Sequence, residues 1–289
     1  MTKRSPINTR STLARMSGFL VCTGVAVWIT AQTQSIPQLS DKRKQFALYF
    51  QEASTEFPDK NTIDFDVSGS PVHGYSKSQN LEFAGQNMTG RIKQRTTGKD
   101  TAMHLERGTL TGNATVTVAD DKGATTKFVG QKVSVEDDGE SAKVTVPAAF
   151  TVTSSTQTES GQRVMTVTAK SGTFILKSLS KKDDNPLTSA IVVGPVTLRV
   201  DQKAASGKAN LYTITGDRLT MRSEGDNKIV TLSGHVHVSS DTTSEDGGGF
   251  IGQMDVETAI ATLDKANNMT KLSTKGAPGS GQLKEKSGG

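Results

Sequence analysis

His235 and His237 are the residues whose types and spacing most directly suggest chemistry. They lie two positions apart in the stretch IVTLSGHVHVSS, residues 229–240. In a β-strand, residues i and i+2 share a face, so the two imidazoles could ligate one metal ion. No third ligand accompanies them in the sequence, because the other two histidines, His73 and His104, lie far away. The polar face of an ordinary strand is therefore the favoured interpretation, and no metal site is predicted.

Neighbouring carboxylates are the second group that could do chemistry, since a pair of them flanks the bond cleaved by a glycosidase. Such groups occur at 120–121, 136–138 and 183–184. Each lies beside Gly, Asn or Pro in a predicted turn, where Asp is favoured because its side chain binds the turn backbone. The stretch DGGGF at 246–250 lacks the Lys-Ser/Thr ending of a phosphate-binding loop. The sequence therefore predicts no catalytic residue, no enzyme activity and no cofactor.

Composition and charge limit the class of protein. Of the 289 residues, 33% are apolar and only 5% are aromatic. Thr, Ser, Gly and Val are plentiful, which is typical of a β-rich protein with one polar sheet face. The net charge is +5, but residues 1–31 hold four cations and no acid, which leaves +1 for the rest of the chain. A nearly neutral body argues against a nucleic-acid partner.

Residues 1–31 are predicted to be an export signal, because a basic start leads into the uncharged stretch MSGFLVCTGVAVWITA. As a helix this stretch would be about 24 Å long, against a hydrocarbon core of roughly 30 Å. A cleaved signal and a retained membrane anchor stay open as alternatives, and both predict an exported protein. The one cysteine, Cys22, lies inside this stretch, so the remaining chain has no disulfide and no cysteine nucleophile.

The segments on either side of the central region are predicted to be outside the main fold. Residues 32–60 are predicted as a linker, in which QFALYFQEAS forms a short helix with Phe46, Tyr49 and Phe50 on one face. Residues 278–289 contain mainly Gly, Ser and Lys and are predicted to be a disordered tail.

A repeated strand pattern fills residues 61–277. Turn-forming stretches such as ADDKGA, VEDDGES and RSEGDNK separate runs in which apolar and polar residues alternate. The alternation is clearest in four runs, 110–118, 142–152, 190–200 and 229–238. Repeats of this kind, each unable to bury its apolar face alone, predict stacked units with a shared core. The stack could form one block or two, over 61–180 and 181–277.

A small residue interrupts each apolar row, at Gly112, Ala148, Gly194 and Gly234, with a weaker copy at Gly276. Gly within a strand permits a bend or the close approach of a neighbour. We therefore expect bends at Gly194 and Gly234. Stacked bent strands would form a V-shaped trough lined by Val and Leu, which could close as a core or open to admit long apolar chains.

The stretch GDRLTMRSEGDNKIVTLSGHVHVSS, followed by GFIGQMDVETAIATLDKANNMTKLSTKG, resembles the repeat of the lipopolysaccharide-transport bridge proteins, the OstA-like family. In that repeat a strand with a small or acidic start leads through a short turn to an apolar strand ending in G-x-V-x-V. A second strand and turn then lead to a Gly-ended strand. The match covers about 210–277 and, more thinly, 80–200.

The resemblance implies an all-β fold, an elongated β-jellyroll or β-taco of stacked antiparallel strands. It implies a periplasmic bridge that carries lipopolysaccharide or a related glycolipid to the outer membrane, with the acyl chains inside the stack. It also implies partners of the same kind, joined end to end through β-strand pairing.

The alternation and the resemblance together select the residues expected to contact lipid. These inner-row residues are Val196, Leu198, Leu232, Val236, Val238, Phe250, Met254, Val256 and Ile260. Arg199 and Arg218 are expected at the rim of the trough as contacts for lipid phosphates. Two other classes of protein remain open: a structural or adhesive envelope β-solenoid without a lipid ligand, and an exported enzyme or glycan-binding sandwich.

Overall fold

The computed structural model of the chain is almost entirely antiparallel β-structure, which confirms the predicted all-β class and an elongated jellyroll-like fold. It describes residues 20–22, 25–30, 38–41, 44–97, 100–120, 123–158, 161–179, 187–243, 249–264, 269–276 and 281–286. The structure describes only β1 and β2 of the predicted export signal, and the other residues of that segment lie outside the described part. Among the described residues there is no helix with the length and hydrophobicity needed to span a bilayer.

The strands follow one another along the chain. The first nine are β1 (Leu20–Cys22), β2 (Val25–Thr30), β3 (Gln38–Ser40), β4 (Phe46–Tyr49), β5 (Glu52–Asp59), β6 (Thr62–Ser76), β7 (Leu81–Thr97), β8 (Asp100–Ala119) and β9 (Thr125–Asp137). A 3-10 turn, η1 (Lys77–Gln79), joins β6 to β7. The others are β10 (Ser141–Val146), β11 (Phe150–Thr158), β12 (Gly161–Ala169), β13 (Ser171–Lys177), β14 (Leu187–Ala204), β15 (Ala209–Glu224), β16 (Asn227–Thr243), β17 (Gly249–Leu263), β18 (Met269–Lys275) and β19 (Gly281–Lys286).

The long strands each cross two layers. In β14, residues 189–193 pair with the second half of β15, whereas residues 196–203 pair with its first half. Register shifts separate the two halves of β6, β7, β8, β14, β15 and β16. We call layer A the one that contains β4, β11, β12 and β19, and layer B the one that contains β5, β10, β13 and β18. The chain is therefore a meander of bent strands, folded along one line of bends into two layers.

The apolar faces of the two layers pack against each other. Phe150 in layer A and Phe174 in layer B meet edge to face, with ring centroids 5.7 Å apart. Phe128, in the layer A half of β9, lies 5.1 Å from Phe174 in the same manner. One cluster of buried apolar residues runs from Leu39 to Leu263. The core is thus continuous across the point where the sequence allowed a division into two blocks.

The predicted bends at Gly194 and Gly234 are confirmed. Their φ angles are +104° and +79°, and each lies within a register shift. His235 follows Gly234 with a φ of +48°, so two consecutive residues in the left-handed region turn the strand. Because Gly234 and His235 together make the turn, even-numbered residues face inward on both sides of it, and Val236 is 1% exposed. A Cβ added at Gly234 would lie 2.5 Å from Asp217 Oδ2.

The row interrupted by Ala148 is broken rather than bent. The expected strand at 142–152 is two strands, β10 in layer B and β11 in layer A, joined by the exposed loop 147–149. Pro147 accounts for the break, because proline cannot donate a hydrogen bond to the ladder of a central strand. Both parts keep the predicted inward rows, with Ala142, Val144 and Val152 buried.

The predicted linker and helix at 32–60 are wrong for 38–40, 46–49 and 52–59, which form β3, β4 and β5. Residues 32–37 and 42–43 lie outside the described part of the chain. Phe46 pairs with Ser76 of β6, and Phe46, Ala47 and Leu48 are completely buried. The spacing of Phe46 and Phe50 also fits a helix, but four residues are too few for periodicity to decide. The edge of the sheet supplies backbone partners that a short isolated helix would lack.

The predicted disordered tail is wrong for residues 281–286, which form β19. This strand pairs with the first half of β17, from Met254↔Gly281 to Gly249↔Lys286. Its side chains carry no apolar alternation, so the strand depends on backbone pairing with an available sheet edge. Residues 277–280 and 287–289 lie outside the described part of the chain.

Replacing Gly234 by alanine is expected to lower the free energy of unfolding by about 1–3 kcal/mol. The new Cβ would overlap the Asp217 carboxylate, and the left-handed backbone disfavours any side chain. Gly207→Ala is the matched control, because its φ is +97° but nothing lies within 4 Å of an added Cβ. Urea unfolding midpoints measure both variants. Equal losses at the two positions would contradict the close approach of β15 and β16 at this bend.

Candidate functional site

His235 and His237 lie on the outer face of the stack, each beside a carboxylate of an adjacent strand. His235 Nδ1 is 2.8 Å from Asp217 Oδ2, and His237 Nδ1 is 2.7 Å from Asp255 Oδ1. The hydrogen bond to Asp217, and then its charge, raise the pKa of His235. No three His, Cys, Asp or Glu side chains of the described residues gather as metal ligands. The two histidines form separate surface pairs with aspartates.

The predicted turn role is confirmed for Asp120 and Asp138, whereas Glu136 and Asp137 belong to strand β9. Asp120 Oδ1 accepts the backbone N–H of Ala124 at 2.8 Å. Asp138 Oδ1 accepts the N–H groups of Ser141 and Glu140, both at 2.8 Å, and these bonds lower the pKa of Asp138. The residues at 121, 183 and 184 lie outside the described part of the chain.

Most of the predicted lipid-contacting residues are enclosed in the core. They occupy the inner faces of β14 and β16, where β15 joins them through the register Leu198↔Ile214 and Ile214↔Val238. None is more than 3% exposed: Val196, Leu198, Leu232, Val236 and Val238. In this state the trough is closed along these strands.

The inner face becomes accessible at β17, the last long strand. Phe250 is 48% exposed, and Met254 and Val256 are half-buried at the edge of the core. In the facing layer, Met269 and Leu272 of β18 are also half-buried against the core. We call these five residues the open end of the trough. Apolar side chains of both layers therefore meet solvent at one end of the stack.

The prediction that Ile260 belongs to the inner row is wrong. At the bend, β16 uses two residues between Ser233 and Val236, whereas β17 uses one residue between Val256 and Thr258. The inward positions of β17 therefore change from even to odd numbers, and Ala259 and Ala261 are completely buried. Ile260, between them, lies on the outer face.

The predicted positions of Arg199 and Arg218 at the rim are also wrong. Arg199 lies between Leu198 and Val200, both 1% exposed, so it is on the outer face of layer A. Its guanidinium is 3.6 Å from the carboxylate of Asp201. Arg218 is exposed immediately after the bend of β15 and precedes buried Leu219. Strand alternation alone places both arginines away from the interior.

A buried polar contact joins the two layers in the part of the stack formed by β6–β9, which we call the first half of the stack; β14–β18 form its second half. Gln79, in η1 at the outer end of layer A, donates to the carbonyl of Leu105 at 2.9 Å and to Asp137 Oδ2 at 3.0 Å. Its Oε1 accepts the N–H of Leu105 at 2.8 Å. Leu105 and Asp137 belong to the layer B halves of β8 and β9. Gln79 thus closes the mouth of the trough, the side opposite the line of bends, in this region.

Lys228 is a buried cation in the second half of the stack. It lies two residues before Val230 and four before Leu232, so it belongs to the inner row of layer B. It is 3% exposed, and burial lowers its pKa to about 8. The alternation in the sequence already marked this position, since Lys228 extends the row of Val230 and Leu232 toward the mouth.

The site is thus an apolar interior that is closed along β14–β16 and accessible at one end. No family model, curated protein or solved structure matches this chain. The resemblance to the bridge proteins stays a prediction.

Lys228→Met is expected to change how stability depends on pH. Below pH 8 both folded and unfolded wild-type chains hold the Lys228 proton, so the full cost of burying the charge is present. Between about pH 8 and pH 10.5 the folded chain loses a proton that the unfolded chain keeps, and stability rises with pH. Relative to Lys228→Met, the wild-type free energy of unfolding should rise by about 2 kcal/mol from pH 7 to pH 10.

Urea unfolding of the two proteins at a series of pH values measures this difference. Subtracting the two profiles removes the titration of all other groups. Parallel profiles would contradict a buried Lys228 with a lowered pKa.

Proposed function

We propose that this protein holds the acyl chains of an amphiphilic glycolipid, lipopolysaccharide or a related molecule, between layers A and B. The observation that carries the proposal is the open end, where Phe250, Met254 and Val256 of one layer and Met269 and Leu272 of the other are partly exposed. Exposed apolar groups on two facing walls suit a chain-like apolar ligand, because the ligand covers both walls at once.

The energetics favour an acyl chain as the occupant. Burial is worth about 0.8 kcal/mol per methylene, so ten methylenes would gain about 8 kcal/mol before the costs of binding. Separating the layers over β14–β17 need not break the sheet, because the strand-to-strand hydrogen bonds there run within each layer and the bends join the two layers. A chain that enters at the open end could therefore extend toward the rows that are closed in this structure.

The ends of the sheet suit the predicted partners. β18 and β19 pair only with β17 among the described strands, so each has one edge that an antiparallel strand of another bridge protein could join. In this role the protein is a periplasmic carrier rather than an enzyme. It passes glycolipid toward the outer membrane, and a cleaved signal or a membrane anchor at its amino terminus are both compatible with that role.

A structural envelope stack without a ligand is the second candidate function. The observation in its favour is the closed core, in which five of the nine residues predicted to contact lipid are at most 3% exposed. Such a core accounts for the alternation in the sequence without any ligand. The two candidates differ in what contacts the open end.

Photo-crosslinking distinguishes the two candidate functions. Phe250 and Ile251 are neighbours with similar exposure, 48% and 37%, but strand alternation places them on opposite faces. With a photoreactive phenylalanine at either position, the carrier proposal predicts lipopolysaccharide adducts at Phe250 and none at Ile251. The experiment uses the full chain and purified lipopolysaccharide.

Position 254 provides a second inward site, with its neighbour Gln253 as the outward control. Adducts at 250 and 254 but not at 251 and 253 would support carriage. Equal labelling of inward and outward positions, or no labelling at any of them, would leave the structural stack as the function.

A further inference from the structure

A polar row lies at the mouth of the trough on the inner face of layer A. Its members are Arg163 of β12, Gln202 of β14 and Asn210 of β15. Each stands opposite the next in the register, as Arg163↔Gln202 and Gln202↔Asn210. All three lie on the inner face, because residues two positions apart in a strand share a face. The residues two positions nearer the bends, Met165, Val200 and Tyr212, belong to the core or pack against it. The inner face thus changes from apolar to polar in one step, over about 7 Å.

These three residues line a small cavity with a positive wall. The cavity has a volume of about 220 Å³ and is also lined by Gly161, Lys203, Ala204 and Lys208. Its lining includes the cations Arg163 and Lys208, and none of the described lining residues is acidic. Lys203 also lines it, but this residue has the outward parity of β14 and approaches Gly161 through its backbone carbonyl. The nearest carboxylate along β14, Asp201, has the opposite parity and lies beside Arg199 on the outer face.

Gln202 offers a hydrogen-bond donor in this cavity. Its Nε2 is buried and finds no acceptor among the described residues. A buried donor left without a partner is destabilising, so an acceptor brought by a ligand would recover that energy. Asn210 adds a second amide that can donate, and Arg163 adds a planar fork of donors.

The backbone holds the cavity in a fixed shape. A Cβ added at Gly161 would overlap the carbonyl oxygen of Lys203 and would lie 2.8 Å from the Cα of Ala204. The start of β12 therefore packs directly on the backbone of β14, and a residue larger than glycine would displace it. Such close packing sets the positions of Arg163 and Gln202 relative to each other.

We propose that this cavity binds a phosphate group, the anionic group whose oxygens match a guanidinium, an ammonium group and a free amide donor. Its volume is below that of sites for drug-sized ligands and suits a single small head group. The ligand that fits both features is an amphiphile with its phosphate in the cavity and its acyl chain one row deeper, against Met165, Val200 and Tyr212. This assignment to a lipid phosphate rests on the proposed function, whereas the anion site itself does not.

The test compares three probes on the full chain: inorganic phosphate, lipid A with its phosphates, and dephosphorylated lipid A, each measured by isothermal titration calorimetry. The variant is Arg163→Gln with Lys208→Gln. The matched control is Arg199→Gln with Lys127→Gln, which removes two exposed cations from the outer face of layer A. Arg163→Lys keeps the charge, and unfolding midpoints show whether each variant is folded.

The Arg163/Lys208 variant is expected to bind phosphorylated lipid A at least tenfold more weakly than the wild-type protein does. The outer-face control should bind it with the wild-type affinity. Dephosphorylated lipid A should bind both proteins equally. Binding of inorganic phosphate by the wild type and not by the variant, without binding of either lipid, would support the anion site while the proposed carrier function fails.

Lipid A binding that responds neither to removal of its phosphates nor to the Arg163/Lys208 variant would overturn the phosphate site and leave the carrier function standing. A wild-type protein that binds none of the three probes would overturn both.

Discussion

The bend that each long strand makes between the two layers is the constraint on which the rest of the structure depends. A strand with one apolar face can bury that face on its own continuation only if it folds back at its middle. Gly194, Gly234 and His235 provide the left-handed backbone for this turn. The bends lie in line because successive strands pair on both sides of them. The two layers, the shared core and the trough all follow from that line.

The mouth of the trough is closed by a hydrogen-bonded side chain in the first half of the stack, but not in the same way in the second half. In the first half, Gln79 reaches across from layer A and binds Leu105 and Asp137 of layer B, so the layers are tied at the bends and at the mouth. In the second half the inner rows end in Lys228 on one side and Gln202 on the other, and the apolar face is exposed at Phe250. The first half is therefore closed at the bends and at the mouth, whereas the second half exposes apolar side chains of the inner face to solvent.

The sequence predicted the inward rows well because alternation is a local property: 110–118, 190–200 and 229–238 have the expected buried face. Ile260 was misplaced because β16 and β17 use different numbers of residues at the bend, and only their pairing shows this. β19 carries no apolar alternation and exists because β17 offers an edge. Whether an inward residue is closed or accessible depends on the facing layer, so the contrast between Val238 and Phe250 could not be read from either strand alone.

The central claim is that acyl chains enter this stack at its open end while the first half stays closed. Amide hydrogen exchange of the full chain, with and without lipopolysaccharide, tests it most directly, because exchange reports local opening along the whole molecule. The account predicts that bound glycolipid slows exchange in 249–263 and 269–275 and leaves 62–97 and 100–119 unchanged. No change in exchange anywhere, or equal protection along the entire stack, would contradict it.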